Sequence, residues 1–431
     1  MQTPTEHVAP LSEGARSEVT AWLEDVAEPL AGLAADAPAS DLHKLVERAR
    51  AATVVGMGAG TRGAHEVSCL QLRMVAALVR HLGFRTVALD EDWTLGVELD
   101  RYVREGTGDL AQLLGGAGGA WRTEEMHQLL TWVREHNAHR PEDPVRLLGV
   151  NVREVRDWAY DAVVDHVQAV APDRSSLVRQ WYTGLRPGAD IAEHVRRFRA
   201  SPDRAECVTR AAAARDLVLG LPARTGEEQH AFAVHAAEAI LSFYRLHADG
   251  KPGEARYMAR LERCLADNVI RWYDLTGKKV VLWSALTHTA DGPTRAVRFP
   301  PAPPRRQANA GSHLRSRFGD GYLSVGLTFH SGRIASFAGG PHQVPEAAGE
   351  LAESVLGTAS PDMYLLDLED TAGGRPAPVS AWLDGPAAVR VIGPHYDPDA
   401  DGAHHMTGGS LSAWFDLLVH LRHVTPSRPL G

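Results

Sequence analysis

The chain has few cysteines, no long apolar run and no excess of basic charge, and each absence excludes a class of protein. Only three cysteines, Cys69, Cys207 and Cys264, stand among its 431 residues. This number argues against a disulfide framework and favours a reducing compartment, so we expect a cytoplasmic protein. No stretch of about 18 consecutive apolar residues occurs, so we predict no transmembrane helix. The net charge of -9 disfavours binding to nucleic acid.

Several short catalytic and ligand-binding signatures are also missing. The sequence contains no Gly-x-Ser-x-Gly elbow, no P-loop, no His-Glu-x-x-His motif and no Cys-x-x-Cys pair. The adjacent His404 and His405 are better explained as part of a polar loop than as metal ligands. We therefore expect neither a metal nor a cofactor.

Apolar runs alternate with helical patterns through most of the chain. A strand at 53–57, a helix from about 64 to 82 and a strand at 86–89 form a strand–helix–strand unit, which requires parallel pairing. Five further apolar runs read as strands, at 145–150, 279–283, 323–329, 364–366 and 389–392. The pattern predicts an α/β fold, with a mostly parallel central sheet flanked by helices and a large helical insertion.

The predicted elements divide the chain into three parts. Residues 1–153 form the N-terminal half of the α/β core with a leading helix. Residues 154–276 read as almost wholly helical and are too long for a simple crossover, so we interpret them as a helical insertion or cap. Residues 277–431 form the C-terminal half of the core.

Polar side chains follow the predicted strands, where open parallel sheets bind their ligands. Because the carboxyl ends of parallel strands meet at one edge, we expect these residues to converge on one site. They are Arg62 and His65 after the first strand, Asp90 and Glu91 after the second, Asn151 after the third, and His288 after the fourth.

Three carboxylates stand in a row at Asp90, Glu91 and Asp92. Their repulsion can raise a pKa or recruit a cation. We expect Asp90 to end its strand and point into the cleft. The alternative is that Asp92 caps the next helix and Glu91 is solvated.

His65 and Glu66 are adjacent at the start of a predicted helix. Consecutive helical positions lie about 100° apart, so both side chains are not expected to reach the same ligand atom. Glu66 is favoured at a helix N-terminus in any case, through the helix dipole. Each residue therefore has a catalytic and a structural interpretation, and Cys69, inside the same helix, is expected to be a buried apolar residue.

The loop Gly58–Glu66 resembles the signature of the erythromycin esterase family, Gly-Glu-Ala-Thr-His-Gly-x-His-Glu. Gly58, Thr61, Gly63, His65 and Glu66 match it. The family's first glutamate falls on Ala59 and its first histidine on Arg62. Other segments are similar to the family as well, at 81–90, 121–137, 148–151, 283–288, 314–322 and 414–418, the last of which resembles the family's last helix.

The resemblance implies hydrolysis of a lactone ester by a histidine that activates water, without a serine nucleophile or an obligatory metal. Arg62 cannot take over that role, because a guanidinium stays protonated. The family's glutamate at the end of the second strand corresponds to Asp90. Of the two histidines in the family's late segment only His288 is retained, and a basic residue of the first family helix falls on Gln71, close to Arg73.

Three functions remain open at this stage. In the first, the enzyme has altered chemistry and acts on a natural-product or peptide intermediate by elimination, cyclisation, group transfer or relocated hydrolysis. Arg62 would then hold an anion, and His288 would be the acid or base, oriented by Asp90 or Glu66. In the second, the chain is a true ester or lactone hydrolase in which His288 or His65 activates water. In the third, it binds a small molecule or a partner without catalysis.

A set of further residues is expected to contact the substrate, which would be a small molecule or a peptide. Tryptophans can form the wall of a cleft for a large, partly apolar molecule, although core packing explains them equally well. The predicted substrate-binding residues are Arg73, Glu91, Trp93, Trp121 and Asn151.

Overall fold

The structure is a computed structural model that describes five stretches of the chain: residues 8–223, 226–336, 340–369, 374–393 and 395–430. Residues 1–7, where the predicted N-terminal half begins, lie outside the described residues. The chain forms two compact units. The first comprises residues 1–89, 99–147 and 277–431, and the second comprises residues 90–98 and 148–276.

The described residues contain thirteen strands. They are β1 (Glu28–Pro29), β2 (Val54–Ala59), β3 (Thr86–Asp92), β4 (Arg146–Asn151), β5 (Val280–Ala285), β6 (Ala296–Arg298), β7 (Arg305–Arg306), β8 (Tyr322–Ile334), β9 (His342–Val344), β10 (Met363–Asp367), β11 (Val389–Arg390), β12 (His405–Thr407) and β13 (Leu417–Val424).

The described helices number seventeen. They are α1 (Glu13–Val26), α2 (His43–Arg48), α3 (His65–Leu82), α4 (Trp93–Glu105), α5 (Leu110–Gly115), α6 (Glu124–His139), α7 (Asp157–Val170), α8 (Pro172–Tyr182), α9 (Ile191–Ala200), α10 (Arg204–Leu219), α11 (Glu227–Ala248), α12 (Ala255–Thr276), α13 (Leu286–Thr289), α14 (Ala310–Phe318), α15 (Glu353–Leu356), α16 (Ala377–Asp384) and α17 (Leu411–Trp414). None of the helices in these ranges is long and apolar enough to span a membrane.

A mostly parallel sheet organises the first unit. Its order is β1-β10-β13-β8-β2-β5-β3-β4, and β9 pairs with β8. The central pairs β13–β8, β8–β2, β2–β5 and β5–β3 are parallel, whereas β1, β9 and β10 pair antiparallel. All six residues of β2 are buried, as expected for a strand covered on both faces. The predicted α/β fold with a mostly parallel central sheet is therefore confirmed.

Helices cover this sheet with apolar side chains. Val19 and Leu23 of α1 join a buried cluster with Tyr364 and Leu366 of β10 and with Leu418 of β13. A second, four-stranded antiparallel sheet in the order β11-β12-β6-β7 also belongs to the first unit. Residues 299–304, four of which are prolines, connect its strands β6 and β7.

The second unit is largely helical and contains α7 to α12. Two buried tyrosines in it make polar contacts inside the unit. The Tyr160 hydroxyl donates to the Leu185 carbonyl, and Tyr244 contacts His194 at 2.9 Å. The residues of β3 from Asp90 and those of β4 from Leu148 are counted in this unit.

Two strands differ from the sequence prediction. The strand predicted to end at Asp90 continues through Asp92. The acidic residues at its end are buried there despite their low strand propensity. The segment around Trp414–Leu418, which resembles a last helix of the family, contains only the end of the short helix α17 and the beginning of β13.

Gly58 allows close packing where β2 ends. It pairs with Ser284 of β5 and Gly326 of β8. A Cβ atom at this position would overlap the Leu286 Cα and the Thr289 Oγ1 of helix α13. The short helix that carries His288 therefore rests directly on the strand that leads into the glycine-rich loop.

We expect Gly58→Ala to destabilise the protein by about 1–3 kcal/mol, because the added methyl group meets backbone that cannot move away easily. Gly14→Ala is the matched control, since nothing lies within 4 Å of a Cβ there. The control should be neutral or stabilising by up to about 1 kcal/mol. Denaturant unfolding measures both, and equal midpoints for Gly58→Ala and the wild type would contradict the packing argument.

Candidate functional site

The loop after β2 brings Arg62 against two other segments of the first unit. The Arg62 guanidinium lies 4.9 Å from the centre of the Trp121 ring, in a cation–π arrangement. Its Nη2 atom is 3.4 Å from the Ser284 hydroxyl, near the end of β5. Arg62 is half-buried, whereas Trp121 is 5% exposed. The guanidinium is thus held on an aromatic surface at the carboxyl ends of β2 and β5.

His65 pairs with a buried glutamate that the sequence analysis did not select. The distance from His65 Nδ1 to Glu125 Oε1 is 2.6 Å, and the two side chains are 18% and 2% exposed. An ionised carboxylate only accepts hydrogen bonds, so Nδ1 is the donor in this contact, and in the neutral imidazole the lone pair then lies on Nε2. A histidine oriented in this way by a carboxylate can act as a general base.

Glu125 occupies the first turn of α6, which begins after Thr123. The Thr123 hydroxyl accepts a hydrogen bond from the Met126 N–H and so caps this helix. A sequence signal for Glu125 existed, because it lies in the family-like segment after Trp121. That signal did not indicate that Glu125, in the first turn of a helix, would pair with His65, 60 positions away in the chain.

Cys69 lies beside the His65 ring, one helical turn along α3. Its sulfur is 3.8 Å from Nδ1 and 3.7 Å from Nε2. Both distances fall within the range of weak hydrogen bonds to sulfur, so the thiol is a close neighbour of both ring nitrogens. Burial raises the pKa of the Cys69 thiol to about 12, and the charges of Glu125 and Glu66 add to this effect. A thiol of this kind is a poor nucleophile at neutral pH.

Glu66 contacts a segment that is distant in the sequence. Its Oε2 accepts the Thr425 N–H at 2.7 Å, and its Oε1 accepts the Thr425 hydroxyl at 2.5 Å. Both carboxylate oxygens therefore hold the start of the C-terminal segment, which favours the structural interpretation of Glu66. Its catalytic role stays a prediction.

His288 lies on α13, directly after β5, and is half-buried. The Gly58 contact sets this helix against β2, so His288 belongs to the same region of the first unit as the glycine-rich loop. Its assignment as acid or base stays a prediction.

Arg73 forms a buried ion pair on α3. It is 2% exposed, and its guanidinium donates to both oxygens of Asp41 and to the carbonyls of Gly32 and Pro38. Partial burial raises the pKa of Asp41, but the hydrogen bonds from Arg73 and Ala31 outweigh it, so the pKa lies below its usual value. These contacts fix the segment before α2 and engage both terminal nitrogens of the guanidinium, whereas its buried Nε has no hydrogen-bond partner in the described part of the chain. They favour a structural role for Arg73, and its contact with substrate stays a prediction.

In the second unit, Asn151 holds Asp90 in place. The Asn151 side-chain N–H donates to Asp90 Oδ1 at 2.8 Å, and its oxygen accepts the N–H groups of Val152 and Arg153. Asp90 and Asn151 are 4% and 2% exposed. The structure thus brings these two predicted site residues together. The side-chain amide nitrogen of Asn151 is the donor in the contact with Asp90.

The rest of the acidic trio is buried too, so the alternative of a solvated Glu91 is wrong. Asp92 does not cap α4 in the contacts observed: its Oδ1 accepts the Glu154 N–H at 2.8 Å. Burial raises the pKa of Asp92 well above its usual value, and the charges of Glu91 and Glu154 add to the shift. Asp92 therefore keeps its proton to a higher pH than an ordinary aspartate does.

Arg153 is a charged neighbour of this trio that the sequence analysis missed. Surrounding protein atoms lower the pKa of its guanidinium, but the nearby charges of Asp90, Asp92 and Glu91 outweigh them and raise the pKa. No local sequence motif distinguishes Arg153. It lies near the trio because it stands two residues after the end of β4.

Trp93 packs in the interior of the second unit. It is 3% exposed and stacks on His235, with ring centroids 4.8 Å apart, next to Trp158 at 5.6 Å. Burial lowers the pKa of His235 to about 3, so this histidine stays neutral. The packing favours the core interpretation of Trp93, and its contact with substrate stays a prediction. Within the described ranges, no group of three or more histidine, cysteine or acidic side chains is arranged to hold a metal ion.

Replacing Arg73 separates a structural role from substrate binding. We expect Arg73→Met to cost about 3–5 kcal/mol of stability, because Asp41 loses its buried partner. With a purely structural role for Arg73, kcat/KM per folded molecule should not change. Arg80→Met is the control, since Arg80 is an exposed residue on the same helix. Unfolding and steady-state kinetics test this, and a raised KM at unchanged stability would restore Arg73 as a substrate-binding residue.

Similarities to solved structures extend over almost the whole chain. A Bacillus cereus protein superposes with a TM-score of 0.82 at 23% identity, covering 96% of this chain and 99% of that one. A protein described as a succinoglycan biosynthesis protein superposes equally well, at 21% identity over 97% and 100% of the two chains. A mutant of the erythromycin esterase EreC in its open conformation gives a TM-score of 0.67 at 13% identity, with coverages of 90% and 95%. At these low identities, the superpositions establish a shared fold.

Sequence comparisons agree with the fold. The protein YbfO of Bacillus subtilis (strain 168), a hydrolase by its name, is 24% identical over 163 residues, which is 37% of this chain. The match spans about a third of that relative, 34% of its length. The family model described as erythromycin esterase matches residues 79–424, which is most of the chain. The chain therefore belongs to the erythromycin esterase family.

Proposed function

We propose that this protein hydrolyses an ester or lactone bond of a small molecule, with His65 as the base that activates water. The observation that carries the proposal is the 2.6 Å contact between His65 Nδ1 and the buried Glu125. The family membership supports an ester or lactone as the substrate. His65 also matches the second histidine of the family signature, and the first histidine is the one that has become Arg62.

The reaction follows from the protonation state of the pair. His65 Nε2 takes a proton from water as the water oxygen attacks the carbonyl carbon, and the carbonyl π electrons move to oxygen. The tetrahedral intermediate then expels the alkoxide, which receives the proton from the imidazolium. Glu125 stabilises the imidazolium that forms in between. The products are a carboxylic acid and an alcohol, and the sum of atoms is substrate plus one water.

Arg62 supports the finer proposal that the substrate carries an anionic group. Its planar guanidinium suits a carboxylate or phosphate, and its permanent charge can also stabilise an oxyanion. Stacking on Trp121 and the contact with Ser284 restrict the Arg62 side chain before the substrate binds. Less conformational entropy is therefore lost on binding.

A second candidate is a non-hydrolytic reaction on a natural-product or peptide intermediate, with His288 as acid or base. The observation that favours it is the presence of a permanent cation, Arg62, at the position of the family's first histidine. Elimination, cyclisation or group transfer would then replace the addition of water, and the product mass distinguishes these reactions from hydrolysis.

Substitution of the histidine pair tests the primary proposal. We expect His65→Gln to lower kcat by about a hundredfold or more, and Glu125→Gln by at least about tenfold, with little change in KM. His139→Gln, at the exposed end of α6, is the control and should keep wild-type kcat. Mass spectrometry of products from a macrolide lactone and from simple aryl esters detects the added water.

Full turnover in His65→Gln, together with loss of turnover in His288→Gln, would transfer the role of base to His288. A product with unchanged mass or a lost group would support the second candidate. Binding without turnover of any of these compounds, unaffected by either histidine substitution, would support a non-catalytic protein.

A matched ester pair tests the role of Arg62. Para-nitrophenyl hydrogen succinate and para-nitrophenyl butyrate have acyl chains of equal length, but only the first carries a carboxylate. We expect Arg62→Gln to raise KM for the succinate by about tenfold, the worth of one charge-assisted hydrogen bond, and to leave the butyrate unaffected. An equal effect on both esters would instead place Arg62 at the oxyanion.

A further inference from the structure

The last described residues of the chain run between two segments that form the candidate site. This tail, residues 425–430, makes isolated antiparallel bridges at Pro426 with Ala64 and at Pro429 with Thr123. One partner belongs to the glycine-rich loop before α3, and the other is the residue that caps α6. The tail therefore contacts the element of His65 and the element of Glu125 together.

Backbone hydrogen bonds tie the tail to both sides. On the loop side, the His65 N–H donates to the Thr425 carbonyl at 2.8 Å, and the Ser427 N–H donates to the Gly63 carbonyl at 2.9 Å. On the helix side, the Glu124 N–H donates to the Arg428 carbonyl at 2.8 Å, and the Leu430 N–H donates to the Arg122 carbonyl at 3.0 Å. Four main-chain bonds thus fix the distance between the two segments.

The tail also reaches the carboxylate of the pair itself. The Arg428 N–H lies 3.1 Å from Glu125 Oε1 and 3.3 Å from Oε2. Because Glu125 is 2% exposed, water supplies little of this hydrogen bonding, and the peptide N–H is a buried donor to the carboxylate that orients His65. The Arg428 side chain is 60% exposed and meets Glu124 at 3.6 Å, so it plays no part in this contact.

We infer that the tail is a positioning element of the active site, in which the Arg428 peptide N–H anchors Glu125 and thereby holds His65 in its Nδ1–H form. The inference deepens the proposed function and rests on it for its catalytic consequence. The part of the inference that concerns the orientation of His65 holds for any reaction that the protein catalyses. Arg428 acts through Glu125 and contacts no reacting atom, so its replacement should change kcat rather than KM.

The experiment compares two substitutions at one position. Arg428→Pro removes the N–H, whereas Arg428→Ala keeps it and removes the exposed side chain. Long-range proton–nitrogen spectra of histidine-labelled protein report the tautomer of each imidazole, and the signal missing in His65→Gln assigns His65. Kinetics on the aryl esters are measured on the same samples.

We expect Arg428→Pro to lose the single Nδ1–H form of His65 and to lower kcat by about 10- to 100-fold with KM nearly unchanged. Arg428→Ala should match the wild type in both measurements. If Arg428→Pro does not fold, a chain shortened after Val424 replaces it, because β13 ends at Val424.

Retention of the Nδ1–H form in Arg428→Pro or in the shortened chain would overturn the inference, whatever the activity. Loss of that form without any change in turnover would support the tail as the element that orients His65 and would contradict His65 as the base. The two proposals therefore fail by different results.

Discussion

The hydrogen bond between His65 Nδ1 and Glu125 joins two elements that are 60 residues apart in the chain. It exists only if the first turn of α6 lies against the start of α3, and two features of the first unit maintain that arrangement. Thr123 caps α6, and the tail from Thr425 bonds to both sides. The same approach of the two segments places Trp121 beneath the Arg62 guanidinium. The orientation of His65 and the placement of the Arg62 guanidinium are thus consequences of one packing constraint.

A substitution from histidine to arginine changes more than one property of a hydrolytic site. A neutral base with a lone pair is replaced by a permanent cation that can only donate. Chemistry that needs a base must then use another group, and a buried carboxylate partner makes His65 suited to that role. The cation left in its place favours substrates with negative charge. In this account, the replacement of the family's first histidine by Arg62 and the role of His65 as base are parts of the same adaptation of the family scaffold.

The sheet was predictable from sequence where burial imposes continuous apolar runs, as in β2, β5 and β8. Strand β13 was missed because its histidines and Arg422 interrupt the apolar pattern, although most of it is buried. Prediction also stopped β3 at Asp90, because acidic residues are rare in buried strands. Polar residues after strands were found as candidates, but Glu125 and the tail were not. Their importance comes from tertiary contacts, and neither has a local pattern that separates it from an ordinary helix start or chain end.

Chemical rescue tests the central claim most directly. A His65→Gly variant removes the imidazole and leaves space beside Glu125, so free imidazole added to the assay can replace the base. The account predicts low turnover of the aryl esters by the variant alone and a rise in proportion to imidazole concentration, after subtraction of the uncatalysed imidazole reaction. Full turnover by the variant without imidazole, or a low rate that imidazole does not raise, would contradict His65 as the base.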